Sequence, residues 1–187
     1  AIRNASSALS GSPSVTVRPV EAEDLPGEVP GGRRPLTEGR FGRRRASSAV
    51  AVLAKAPVPG RVKTRLCPPL TPAQAAELAR AALLDTIEAC SASAAREVVV
   101  ILDGSPRPWM PAGIRVIAQR QGDLGNRLLG AVVDLDGRCL VVGMDTPQLT
   151  ADLIDDGLRA LDGEGCDAVL GPALDGGYWA IGLRRAD

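Results

Sequence analysis

The chain has 187 residues with 22 basic and 22 acidic side chains, and it contains no histidine. Its only two lysines are Lys55 and Lys63. These counts exclude Ser-His-Asp and Cys-His catalysis, His-ligated zinc or haem, and a histidine pH switch. Formal neutrality argues against a dedicated nucleic-acid binder.

Apolar residues make up 45% and aromatics 2%, so the core must be built from Ala, Val, Leu and Ile. That composition suits α/β layers better than a β-sandwich. No run reaches the roughly 18 apolar residues of a membrane helix. The four cysteines, Cys67, Cys90, Cys139 and Cys166, form no C-x-x-C pair. They read as small buried hydrophobes in a reducing, cytoplasmic protein.

Residues 1–48 are rich in Ser, Pro, Gly and Arg, with eight arginines against five acids. They are expected to form a disordered or loosely attached extension. The Arg43-Arg44-Arg45 run, followed by a short apolar stretch that runs directly into Lys55, is not expected to be a signal peptide. Residues 49–187 carry 14 basic and 17 acidic side chains and form the expected folded domain.

The domain opens with Ala49–Ala54, a short apolar run suited to a buried parallel strand. After a Pro/Gly-rich loop, Thr71-Pro72-Ala73-Gln74 supplies an N-cap, a proline at the first helical position and a capping-box glutamine. The helix is predicted to reach about Cys90. Glu97–Leu102 and Ile114–Ala118 read as strands. A helix from the Gly122-Asp123-Leu124-Gly125 turn to about Leu135 follows. Cys139–Val142 is a strand, Leu149–Leu161 a helix capped by Thr150, and Asp167–Leu170 and Tyr178–Leu183 the last strands. Alternating strands and helices predict a three-layer α/β/α fold with a mainly parallel sheet.

In such sheets ligands bind outside the carboxyl ends of the strands. The Lys55–Leu66 loop places Lys55, Arg61, Lys63 and Arg65 within eleven residues, with Pro59, Gly60 and Thr64 among them. Clustered cations and backbone N–H groups suit a di- or triphosphate. A solvated basic loop is the alternative, and the frame of a P-loop is missing. Asp145, in Gly143-Met144-Asp145-Thr146-Pro147, ends a strand where a carboxylate can hold Mg²⁺ or Mn²⁺, or can simply shape a turn. Asp175-Gly176-Gly177-Tyr178 combines a carboxylate, two flexible glycines and the sole tyrosine. It fits either an acceptor site with Asp175 as acceptor-orienting group or second metal ligand, or a tight hairpin. Gly122, Gly125 and Arg127 fit either a nucleotide contact or a capped helix start.

Four segments together resemble one family: LAKAPVPGRVKTRL (Leu53–Leu66), GDLGNRL (Gly122–Leu128), GMDTPQL (Gly143–Leu149) and GPALDGGYWAIGL (Gly171–Leu183). They look like the DUF2064 family, glycosyltransferase-A-like proteins of the nucleotide-diphospho-sugar transferase superfamily, some described as radical-SAM/selenodomain-associated transferases. The resemblance covers about 49–183. Lys63–Leu84 is also similar to the 2-phospholactate guanylyltransferases of the same superfamily.

By that resemblance Lys55, Lys63 and Arg65 are phosphate ligands and Asp145 is the metal ligand. The implied function is a metal-dependent transferase acting on a nucleotide-activated donor, an NDP-sugar, and a small-molecule acceptor. Lys63 and Asp175 would then be catalytic. A nucleotidyltransferase and a non-catalytic nucleotide-binding domain are the alternatives. Family members continue past the GGY motif, so the resemblance implies a C-terminally truncated fold or a reduced acceptor side.

Overall fold

The computed structural model describes residues 48–106, 109–135, 138–173 and 177–184. Residues 1–47 of the extension expected at 1–48, and the site residues Asp175 and Gly176, lie outside the described residues. Ser48 is already buried, and its hydroxyl donates to Asp162 Oδ1.

Six strands form one sheet in the order β3-β2-β1-β4-β6-β5. The strands are β1 (Ala49–Lys55), β2 (Val98–Asp103), β3 (Arg115–Ala118), β4 (Cys139–Gly143), β5 (Ala168–Pro172) and β6 (Tyr178–Leu183). β1 pairs in parallel with β2 and β4, and β2 with β3. β6 runs antiparallel between β4 and β5. The sheet is therefore mainly parallel, with one reversed strand.

The helices are α1 (Pro72–Ser91), α2 (Leu124–Asp134) and α3 (Ala151–Asp162), with a 3-10 turn at Thr64–Leu66. Alternate residues of β1 explain its unbroken apolar run. Val50, Val52 and Ala54 face Leu83 and Ile87 of α1 and Ile154 and Leu158 of α3. Ala49 and Ala51 share the other face with Ala131 and Val132 of α2. A strand covered on both sides has no polar face to show.

The capping box at α1 is complete: Gln74 N donates to Thr71 Oγ1 at 3.3 Å, and Thr71 N donates to Gln74 Oε1 at 2.9 Å. Removing such a cap costs about 1 kcal/mol. Thr71→Ala should therefore lower the melting temperature by about 2–4 °C in a domain of this size. Thr71→Ser should restore it in the same calorimetric scan.

Cys90, Cys139 and Cys166 are fully buried, whereas Cys67 is half-exposed. Burial pushes the Cys90 and Cys139 thiols up to about 12. Thiolate is the reactive form, so these two should be inert in the native state at neutral pH. A disulfide-exchange reagent should modify Cys67 first and reach the other three only in denaturant. Rapid labelling of Cys90 in the folded protein would contradict the packing of α1 on the sheet.

Candidate active site

The site is assembled at the carboxyl ends of β1, β3 and β4. β1 ends at Lys55, whose ammonium lies 3.9 Å from Asp103 Oδ2 at the end of β2. The Lys55 amide donates to Met144 Sδ at 3.1 Å, and the Met144 amide donates to the Leu53 carbonyl at 3.2 Å. The ends of β1 and β4 are thus tied together. The Thr86 hydroxyl of α1 donates to the Ala82 carbonyl at 2.8 Å and lies 3.4 Å from the Met144 carbonyl, and Thr146 Oγ1 donates to the Gly143 carbonyl at 3.4 Å. The Met144 amide bond to Leu53 and the Thr146 contact fix the backbone that presents Asp145.

The Lys55–Leu66 loop folds back over this edge. Its anchor is Val62, buried with Ala76 and Ala79 of α1 and packed with Met144. Gly60 takes a φ of 76°, a conformation glycine reaches without steric cost. Lys63 is the one described non-glycine residue with positive φ, at 50°. For an L-residue this costs roughly 1–2 kcal/mol. The same turn aims its ammonium at Asp145 Oδ2, 2.9 Å away.

A cleft of about 290 Å³ lies between these elements. That is near the small end of ligand pockets, which run roughly 300–1,000 Å³. Its polar lining is Lys55, Arg61, Lys63, Gln119, Arg127 and Asp145. Four cations therefore surround one carboxylate. Arg127 Nε donates to the Asp123 carbonyl at 3.3 Å, which holds the guanidinium beside Gln119 at the end of β3.

The structure thus brings Lys55, Lys63, Arg127 and Asp145 to one cleft. Pro59, Gly60, Thr64, Arg65, Gly122 and Gly125 stand outside its lining. Arg65 sits in the 3-10 turn, exposed to solvent. Gly122 has a φ of 126°, and a Cβ there would meet Asn126 Cβ at 2.9 Å, so the start of α2 requires glycine. Gly125 occupies the first turn of α2, whose cap is Asp123. Tyr178 opens β6, exposed, at the sheet edge where β4 ends. The Gly177 carbonyl beside it accepts from Ala173 N at 2.9 Å. Gln119 and Met144 joined the site without having been singled out in the sequence. The one available signal was their position directly after, or within a residue or two of, a predicted strand end.

Among the described residues no three Cys, Asp or Glu side chains converge on a metal position. Asp145 can still serve a hard divalent ion, because Mg²⁺ and its like keep several waters and need only one or two carboxylates beside phosphate oxygens. A bare carboxylate in a cationic cleft would repel a diphosphate. It becomes useful when a cation stands between the two. The donor set therefore fits a divalent ion shared with a bound diphosphate.

The layers, strand order and strand-end cleft define a nucleotide-diphospho-sugar transferase fold. A crystal structure of a proposed nucleotide-diphospho-sugar transferase from Desulfovibrio desulfuricans G20 is similar to this chain, with a TM-score of 0.66 and 29% identity. The match covers 74% of this chain and 64% of that one, so the chain spans less than two thirds of its neighbour. The model of DUF2064, uncharacterised proteins conserved in bacteria, matches residues 73–187. The chain belongs to the DUF2064 family. No protein of curated function matches it. The family match includes Arg127 and Asp145, whereas Lys55 and Lys63 precede it. No described helix is long and apolar enough to cross a membrane.

Proposed function

We propose that the protein is a metal-dependent transferase that uses an NDP-sugar donor and a small-molecule acceptor. The supporting observation is the convergence of Lys55, Arg61, Lys63, Arg127 and Asp145 on one strand-end cleft. The likeness to the Desulfovibrio desulfuricans protein supports the same reading.

In this reading the four cations take the donor diphosphate, and Asp145 holds Mg²⁺ or Mn²⁺ against it. The metal would supply Lewis-acid stabilisation of the departing diphosphate. Lys63 comes from the loop after β1 and Arg127 from the first turns of α2, so negative charge growing on the leaving group meets fixed positive charge. Gln119, with donor and acceptor in one amide, lies where a ribose or base edge can be read.

Incubation with Mn²⁺ and panels of NDP-sugars and NTPs tests the assignment. Free NDP from an NDP-sugar is expected. Pyrophosphate released from an NTP would move the protein to nucleotidyl transfer, the activity suggested by the Lys63-Thr64-Arg65-Leu66 element. Binding without turnover of any donor would leave a nucleotide-binding domain.

A further inference from the structure

We infer that Lys63 and a divalent metal ion compete for the Asp145 carboxylate, so that the ion binds tightly only together with a diphosphate. This rests on the reading of Asp145 as the metal ligand proposed above.

Three observations carry it. The Lys63 ammonium stands 2.9 Å from Asp145 Oδ2, inside the distance of a strong charge-assisted hydrogen bond. The Lys63 side chain is about three-quarters covered, at 26% exposure, while Asp145 is half-exposed at 50%. The pair is therefore shielded on the lysine side and open on the carboxylate side. Lastly, Lys63 is held in the left-handed region, and its carbonyl accepts from Leu66 N at 2.9 Å, which starts the 3-10 turn. The backbone thus roots this side chain beside the cleft.

A divalent ion approaching Asp145 meets a lysine already on the carboxylate. It must displace that hydrogen bond and then sit beside a like charge. Both effects weaken binding of the free ion. A diphosphate changes the balance. Its oxygens give the Lys63 ammonium a new anionic partner within reach of the same loop. They also supply the remaining ligands that a hard cation needs. Each ligand then raises the affinity of the other by the same factor, as linkage requires. Asp103 stands in a looser relation to Lys55, at 3.9 Å and with both groups about half-exposed. The tighter Lys63–Asp145 pair is therefore the one that gates the ion.

The test is calorimetric titration of the full chain with Mn²⁺ alone, then with Mn²⁺ in the presence of UDP or GDP. Wild type should bind Mn²⁺ alone weakly. Lys63→Met should bind it on the order of tenfold more tightly without nucleotide. Lys63→Arg, which keeps the charge, should stay near wild type. Lys63→Met combined with Asp145→Asn should lose the gain. Equal Mn²⁺ affinity of wild type and Lys63→Met overturns the competition. If nucleotide-promoted, Asp145-dependent uptake persists in that case, the metal assignment itself still stands. Retention of the gain in the double variant, or no Mn²⁺ uptake by any variant even with nucleotide, overturns the metal assignment and the competition with it.

Discussion

Asp145→Asn is expected to lower metal-dependent turnover of the NDP-sugar donor by about 10²–10³-fold, the cost of losing one preorganised electrostatic group at a developing charge. The size follows from the site's composition. Asp145 is the carboxylate lining the cleft among the described residues, facing Lys55, Arg61, Lys63 and Arg127. Asparagine keeps the shape and removes the charge. The four cations would remain, so donor binding without metal should survive or strengthen while turnover falls. The measurement is NDP release at saturating donor over a Mn²⁺ series. An Asp145→Asn protein retaining more than half of wild-type turnover would remove this carboxylate from the mechanism. Folding is not at stake, because Asp145 is half-exposed and its neighbours are fixed by the Met144 amide bond to the Leu53 carbonyl and by the Thr146 contact with the Gly143 carbonyl.

The second large effect is structural. Trp179→Ala should destabilise the fold by about 3–5 kcal/mol, the usual cost of deleting a buried aromatic. Trp179 is 4% exposed and belongs to the core under α1 and α3. Domains hold only about 5–15 kcal/mol in total, so this single change approaches unfolding. Gly171 on β5 gives the indole its space: a Cβ at 171 would lie 2.4 Å from Trp179 Cε2. Gly171→Ala should cost about 1–3 kcal/mol in wild type through overpacking. In a Trp179→Leu background the same change should cost much less, because the clashing ring is gone. Denaturant titration followed by circular dichroism reads all five proteins, wild type included. Equal costs of Gly171→Ala in both backgrounds would deny the contact. The effect reaches the site because β6 starts next to this ring, and its first residue, Tyr178, stands at the edge where β4 ends.

Much of this architecture was legible residue by residue. Thr71, Pro72 and Gln74 announce the start of α1 because capping chemistry is local. The runs in β1, β2 and β4 announce buried strands because both faces are covered. β6 is different. Its reversal between β4 and β5 leaves no mark on Tyr178–Leu183, since a strand's side-chain alternation is the same in either direction. The cleft divides in the same way. Lys55, Lys63 and Asp145 could be assigned to one sheet edge from their places after strands. Their pairing could not, because it depends on where Val62 anchors the loop against Ala76 and Ala79. Arg65 looked equivalent to Lys63 in the sequence, yet the 3-10 turn leaves it in solvent. Gly122 fitted either a nucleotide contact or a capped helix start in the sequence, and its φ of 126° is a conformation that favours glycine at the start of α2.

The missing histidines and the scarce lysines now have a physical counterpart. Lys55 ends β1 beside Asp103, and Lys63, on the loop that follows, pairs with Asp145. Charge placement of this kind suits phosphate and divalent-ion chemistry, which needs no imidazole.

The central claim is that this cleft takes a nucleotide diphosphate. Amide chemical-shift mapping of the full chain with UDP and GDP, with and without Mn²⁺, tests it most directly. The account predicts saturable shifts centred on Lys55, Arg61, Lys63, Gln119, Arg127 and Asp145, enlarged by Mn²⁺ in wild type and not in Asp145→Asn. Shifts centred instead on Arg96 and Arg115 around the cleft at the opposite sheet edge, or no shifts at millimolar nucleotide, would contradict it.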